Sequence, residues 1–344
     1  MRVYHLSHID LDGYGCQFIT NRYFEDKKYF NANYGKEVIE KLNSIIHLIE
    51  NSEIVDNFIL ITDLNLTFEE SRYLDLEVKR LNELDFNIKL QLLDHHKSGI
   101  DSAGKFDWYY LDNSRSATKI TFDYFKTNYS DVFIDDIEKL IDSINAVDIW
   151  LENDSNFEFG KVCMRLIMDT NEINRFNFLN EHRDYKFFAL NKAIEYLNIE
   201  NGHILLDDNI LKIKKEYLKK DIYDTLDILS SEFVSNLLIK NKDVMTIRYK
   251  DRVGLFTYSF GSISVVANRF LKKASEFDFF MDLNTKGAFS LRANGKIDVS
   301  LLAKELAGGG GHANASGGKF GDFSESYSYQ KAIEFVQQKL NDIS

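Results

Sequence analysis

Three short apolar runs, VYHLSHI, NFILITDL and IKLQLLDHH, are each bounded by polar residues and separated by longer amphipathic stretches. The first precedes GCQFITNRYF, the second the segment from Thr67 to Leu84, and the third a loop and WYYLD. Buried strands alternating with amphipathic helices leave an α/β domain with a largely parallel sheet as the economical fold. In TFEE, Thr67 and Glu70 fit a capping box that starts the second helix. Helical patterns from about Ser116 to Tyr129 and from about Asp135 to Asp148 extend the series. From about 160 to 240 the strand signal fades into charge-rich helical sequence. Beyond 240, DVMTIRY, RVGLFTYSF, FDFFMDLNT and AFSLRANG read as strands, interrupted by the helical SVVANRFLKKA and DVSLLAKELA. The expectation is an α/β domain over 1–185, a helical connector over 186–240 and a smaller α/β domain over 241–344.

With 344 residues, 44% of them hydrophobic, the chain can build a core in each part. Its net charge of -12 offers no global cationic field for gripping long duplex nucleic acid, so any nucleic acid must bind locally. No apolar run is long enough to span a membrane, and MRVYHLSHID does not read as a signal peptide. Cys16 and Cys163 give neither a disulfide framework nor a thiolate metal cluster, and a reduced, cytoplasmic protein is expected.

Each of the first three runs ends in acids and imidazoles: His8, Asp10 and Asp12, then Asp63, then Asp94, His95 and His96. Ligands of open parallel sheets gather where loops leave the carboxyl ends of strands, so these groups should meet at one edge. Carboxylates packed there without a cation would repel one another or take up protons. A donor set of carboxylate and imidazole without thiolate suits Mn²⁺ or Mg²⁺ better than structural Zn²⁺, and it is too large for one ion. Two ions about 4 Å apart, sharing a carboxylate, would activate water for in-line attack on phosphorus. Taken singly, Asp101, Asp131, His47, His182, His203 and His5 read instead as solvated, capping or packed groups.

Further along, NSRSATKI puts Ser114, Arg115, Ser116 and Thr118 at a helix start, either an anion site or a plain N-cap. Gly308 to Gly311, followed by His312, permit a backbone turn that an anion can approach closely. Arg292 ends a strand and could fork onto a phosphate or carboxylate.

These stretches resemble the DHH phosphoesterases, whose name describes Asp94, His95 and His96. SHIDLDG is similar to the first family motif, ITDLN to the second, LLDHHKSG to the third and the Asp of NAVDIW to the fourth, while GGGGHANASGG resembles the signature of the associated DHHA1 substrate domain. The resemblance implies an N-terminal parallel-sheet DHH domain joined by helices to a smaller DHHA1 domain. It further implies that His8, Asp10 and Asp63 hold one metal while Asp12, Asp63, His95 and Asp148 hold the other, with Asp63 as bridge. By the same resemblance Asp94 orients a histidine and His96 faces the substrate phosphate as charge or proton donor. Arg292, His312 and the glycines, Gly309, Gly310 and Gly311 among them, belong to substrate recognition, with Arg115 and Ser116 as further contacts and Asn314 and Ser316 as helpers. The family often has alanines after this histidine, where this chain reads HANASGG.

A compact acidic chain lacks the extra modules and basic channel of a RecJ-like single-strand DNA exonuclease, and the membrane and sensory parts of many cyclic-dinucleotide phosphodiesterases. The first motif most resembles the nano-RNase (oligoribonuclease, type B) branch. The resemblance therefore implies a hydrolase with two Mn²⁺, or Mg²⁺ in their place, acting on short single-stranded oligonucleotides or dinucleotides and extending to 3',5'-bisphosphate nucleotides. A homodimer is compatible with the sequence. Alternatives are a cyclic or linear dinucleotide phosphodiesterase, a RecJ-like exonuclease and a metal-dependent nucleotide-binding regulator without turnover. Tyr14 and Phe260 are aromatic candidates for base stacking, although core packing is the commoner role for such residues.

Overall fold

A computed structural model describes residues 1–129, 134–219, 223–261 and 263–344; Asp131 lies outside them. The chain forms two compact units, Met1–Thr170 with Arg183–Ile210, and Asn171–His182 with Leu211–Ser344. It passes between them three times, after Thr170 and within the helices Leu179–Ile194 and Gly202–Leu218.

The first unit carries a five-stranded parallel sheet built from β1 (Arg2–Ser7), β2 (Lys27–Asn31), β3 (Asp56–Thr62), β4 (Asn87–Asp94) and β5 (Tyr109–Leu111), in the order β2-β1-β3-β4-β5. β1 and β3 are buried along nearly their whole length, as expected of interior strands covered on both faces. Tyr4, Leu6, Ile59 and Ile61 pack there with Leu42, Ile45, Ile49, Leu74 and Leu81 from the helices Lys36–Glu50 and Phe68–Glu83. The capping box is present: Thr67 Oγ1 accepts from Glu70 N, and Glu70 Oε2 accepts from Thr67 N. Two elements are absent from the sequence-based expectation, the edge strand β2 and the helix Lys36–Glu50.

The strand order reverses at β1 and β3: from β1 the chain steps outward to β2, then returns to the other side of β1 for β3. In doubly wound sheets the crevice at such a point, beyond the carboxyl ends of the strands, is where ligands bind. His8 and Asp63 are the first residues after the two strands that flank it.

The second unit has a six-stranded mixed sheet of β6 (Thr246–Tyr249), β7 (Arg252–Tyr258), β8 (Phe279–Leu283), β9 (Ala288–Ala293), β10 (Gly310–His312) and β11 (Ala315–Lys319). The order is β10-β11-β9-β8-β7-β6, with only β7 and β8 parallel. Its core joins Phe256, Phe279, Met281 and Leu291 to Leu302, Val336 and Leu340 of the helices Val299–Ala307 and Tyr329–Asp342. Both units are α/β. Among the described residues no helix is long and apolar enough to cross a membrane.

Candidate metal centre

The turn after β1 sets up the first part of the site. Asp10 is the N-cap of the helix Leu11–Thr20, its Oδ1 accepting from Gly13 N at 3.0 Å while Oδ2 lies 2.8 Å from His8 Nδ1. A side chain at Gly13 is excluded, since its Cβ would stand 2.4 Å from the His8 carbonyl oxygen. That close approach lets the helix start directly over the end of β1. Two residues beyond Asp10, Asp12 is buried, and its two oxygens accept from Ala117 N and Thr118 N, each at 2.8 Å. The first turn of the helix Ala117–Asn128 therefore does receive an anion, and the anion is Asp12, which the helix dipole stabilises.

Asp63, just past β3, adopts a left-handed backbone (φ 54°), which aspartate tolerates better than most residues. It is 2% exposed. Its Oδ1 lies 3.5 Å from His95 Nε2 and its Oδ2 3.7 Å from His8 Nδ1, and Oδ2 is buried without a hydrogen-bond partner. His95 Nε2 also stands 3.5 Å from Asp148 Oδ2 and 3.8 Å from Asp12 Oδ2. Ligand atoms of His8, Asp10 and Asp63 fall within 4.8 Å of one another, as do those of Asp12, His95 and Asp148, and those of Asp63, His95 and His96.

Burial pushes the Asp63 carboxyl well above the ordinary value, and the neighbouring Asp12 and Asp10 push it further. Asp148 rises to about 9 for the same reasons, and burial raises Asp12 as well. Burial also opposes ionisation of Asp10, but its bonds with His8 and Gly13 prevail and hold it near 2. Burial lowers His95. An orphaned buried carboxylate oxygen among mutually opposed acids, beside an imidazole whose protonation burial disfavours, is a donor set that divalent cations fit.

Asp94 is wholly buried and engages His96: its Oδ1 lies 2.7 Å from His96 Nδ1, and its Oδ2 accepts from Tyr109 Oη at 3.1 Å. Burial works to lower the His96 value, but the bond and charge of Asp94 outweigh it and the net shift is upward. The backbone of His95 is fixed separately, its carbonyl accepting from Asn113 Nδ2.

Arg115 is engaged elsewhere, with its guanidinium donating to Asp112, Asp123 and Tyr110 Oη. Ser116 caps the helix by accepting from Lys119 N, its own N–H donates to Asn145, and Thr118 Oγ1 donates to the Asp12 carbonyl. Tyr14 is in the core at 1% exposure. His5 is buried between Thr20 Oγ1 and Thr62 Oγ1, a packed and fully bonded histidine.

In the second unit, His312 pairs with Ala315, and Ala315 with Arg292, so the two candidates lie in one row, two strands apart, on the same sheet face. Arg292 donates to the Leu291 carbonyl and Ser264 Oγ, and His312 is exposed. Gly308 ends the helix Val299–Ala307 in the left-handed conformation. Gly309 and Gly311 are dictated by packing, since a Cβ would meet the Gly317 oxygen at 2.3 Å or the Ala315 oxygen at 2.6 Å, whereas Gly310 faces open space. Ser316 donates to the Val299 carbonyl and Asn314 Oδ1 accepts from Gly295 N, so both brace the turn. Phe260 N donates to the buried Asp282.

Sequence reasoning missed the loop after β2. There Asn31 Nδ2 donates to the His8 carbonyl, Asn33 Oδ1 lies 3.4 Å from His8 Nε2, and Tyr34 packs over His8 with its hydroxyl 3.1 Å from His96 Nε2. Nothing in the local sequence of this loop marks its partner histidines, which are distant along the chain.

Residues 254–342 match the DHHA1 domain. A 3',5'-cyclic-nucleotide phosphodiesterase of Helicobacter pylori is 42% identical over 346 aligned positions, covering 99% of each chain. Oligoribonuclease NrnB of Bacillus subtilis is 25% identical over 92% of this chain and 72% of its own length. Among solved structures, an uncharacterized protein from Helicobacter pylori G27 matches with a TM-score of 0.94 at 42% identity over 99% of both chains. With full-length similarity of this extent and with its clustered acids and histidines at the switch point of a parallel sheet, the chain belongs to the DHH phosphoesterases and is a metal-dependent phosphodiesterase of that family.

Proposed function

We propose that the chain hydrolyses the 3',5'-phosphodiester of small nucleotides at a pair of divalent ions, Mn²⁺ before Mg²⁺. The observation that carries this reading is the orphaned buried oxygen of Asp63 between two groups of donors. His8, Asp10 and Asp63 would hold one ion and Asp12, Asp63, His95 and Asp148 the other, with Asp63 shared. When bound, the pair supplies charge neutralisation, polarisation of the phosphoryl oxygens and activation of the attacking water.

The chain's own groups supply the rest. Asp94 fixes Nδ1 of His96, which leaves Nε2 to meet the substrate and give a proton to the departing ribose oxygen. Arg292 and His312, in one row of the second sheet, suit a second phosphate or a sugar edge.

A 3',5'-cyclic nucleotide is the first substrate to test, because the relative carrying that name shares 42% identity over nearly all of both chains. Short oligonucleotides contain the same bond and are the second, supported by the weaker similarity to oligoribonuclease NrnB. The experiment is a panel of 3',5'-cyclic AMP and GMP, di- to decanucleotides, 3',5'-bisphosphate nucleotides and cyclic dinucleotides, each with Mn²⁺, Mg²⁺ or EDTA. Hydrolysis of a 3',5'-diester that EDTA abolishes supports the reading. Turnover undiminished by EDTA, or none on any diester with either metal, overturns it.

A further inference from the structure

The residue that neither the motif pattern nor the metal set accounts for is Tyr34. Its ring lies over the His8 imidazole with centroids 4.8 Å apart and planes tilted by 38°, and it meets His96 edge-on at 5.8 Å. The phenol oxygen is 3.1 Å from His96 Nε2. Asp94 takes the opposite nitrogen of that ring and is itself held by Tyr109, giving one continuous file, Tyr109, Asp94, His96, Tyr34. The inner end of the file is buried, whereas Tyr34 is 42% exposed.

The loop that carries Tyr34 is braced where a surface loop would ordinarily be loose. Tyr34 N donates to Asn33 Oδ1, Asn33 N donates to Glu37 Oε2, and Glu37 is fully buried. Asn31, at the end of β2, ties the same segment to the His8 carbonyl. An exposed tyrosine fixed in this way, with its hydroxyl on the one histidine nitrogen left free by a buried carboxylate, has a geometry that ordinary surface packing does not require.

We propose that Tyr34 is a positioning residue that acts through His96. Its hydroxyl occupies Nε2 in the resting enzyme, fixes the rotation of the imidazole, and yields its place to the departing oxygen of the substrate. The ring has a separable task, which is to pack against the His8 imidazole and hold it toward the acids. This inference rests on the reading of His96 as the group that faces the departing oxygen.

The two tasks separate in Tyr34→Phe, which keeps the ring, and Tyr34→Ala, which removes both parts. Tyr34→Phe should bind Mn²⁺ as wild type does by calorimetry. It should lower kcat about tenfold on a 3',5'-cyclic nucleotide or a dinucleotide, with KM little changed. In the metal-free protein it should shift the ¹⁵N resonance of His96 Nε2. Tyr34→Ala should in addition weaken Mn²⁺ binding. His96→Gln should lower kcat by about a hundredfold or more, and adding Tyr34→Phe to it should cost nothing further, because the hydroxyl then has nothing to position.

If His96→Gln remains fully active, the reading of His96 is at fault. If His96→Gln is impaired but Tyr34→Phe turns over like wild type, or the two losses multiply in the double variant, the assignment of Tyr34 is overturned. An unchanged His96 resonance in Tyr34→Phe would overturn it as well.

Discussion

Asp63 concentrates the electrostatic problem of the site in one side chain. Its carboxylate is buried, one oxygen lacks a hydrogen bond, and its neighbours push it toward protonation. Asn has nearly the same shape and tolerates the same left-handed backbone, so Asp63→Asn should fold. As a neutral amide it bridges cations poorly, and kcat should fall by more than about a hundredfold, with fewer than two Mn²⁺ retained per chain by metal analysis. Activity within about tenfold of wild type would sink the bridging role. Asp282 offers a separate test in the other unit. Burial pushes its carboxyl up to about 7, although Thr257 Oγ1 and Phe260 N donate to it. Between the ordinary carboxylate value and about 7 the folded chain retains a proton that the unfolded chain has released. That contribution to stability is therefore present in acid and is lost as pH rises through the window, by at most about 1.4 kcal/mol per pH unit. Denaturant unfolding of wild type and Asp282→Asn at pH 5 and pH 8, with metal present, should show a smaller pH dependence in the variant. Equal pH dependence would show that Asp282 is ionised throughout.

The glycine run shows how an element dictates residues. Gly309 and Gly311 stand where β10 crowds β11, but Gly310 between them has open space and carries no positive φ. Gly309→Ala and Gly311→Ala should each lower the melting temperature by several degrees, whereas Gly310→Ala should leave it within about a degree. Should Gly310→Ala raise KM without moving the melting temperature, the glycine at that position serves an approaching ligand. A melting temperature in Gly309→Ala equal to that of wild type would refute the packing account. The same scale explains what the sequence disclosed. β1 and β3 could be read because these central parallel strands are buried on both faces, β4 because Ile88, Leu90, Leu92 and Leu93 keep it apolar despite the exposed Lys89, and the ends of all three carried His8, Asp63 and Asp94 in plain view. β2 could not, because an edge strand paired on one side tolerates the lysines of KKYFN and its burial is broken. With β2 went the loop carrying Tyr34, whose partner His96 is 62 residues away. Asp12 and the amides that it binds are similarly more than a hundred residues apart, so the helix start at Ser116 gave no sign of which anion it holds.

On the scale of the whole molecule, a chain with net charge -12 must draw an anionic substrate by local groups rather than by its overall field. The donors for cations all belong to the first unit, and Arg292 and His312 belong to the second. On the proposed division of labour, the first unit breaks the ester and the second reads what is attached to it. A contact that holds ground state and transition state alike sets KM and leaves kcat nearly intact. Arg292→Ala should then raise KM for a dinucleotide about tenfold or more, with kcat and Mn²⁺ content close to wild type. Bis-p-nitrophenyl phosphate has no second phosphate or sugar to read, so the same variant should hydrolyse it almost as wild type does, whereas Asp63→Asn should lose both activities. Since Arg292 also bonds Ser264 Oγ and the Leu291 carbonyl, Arg292→Lys serves as a control for local packing. Lysine keeps the charge but not the planar fork, and it should restore part of the affinity without altering kcat. Equal loss of kcat on both esters, with metal content unchanged, would place the second unit in the chemistry itself and end this division.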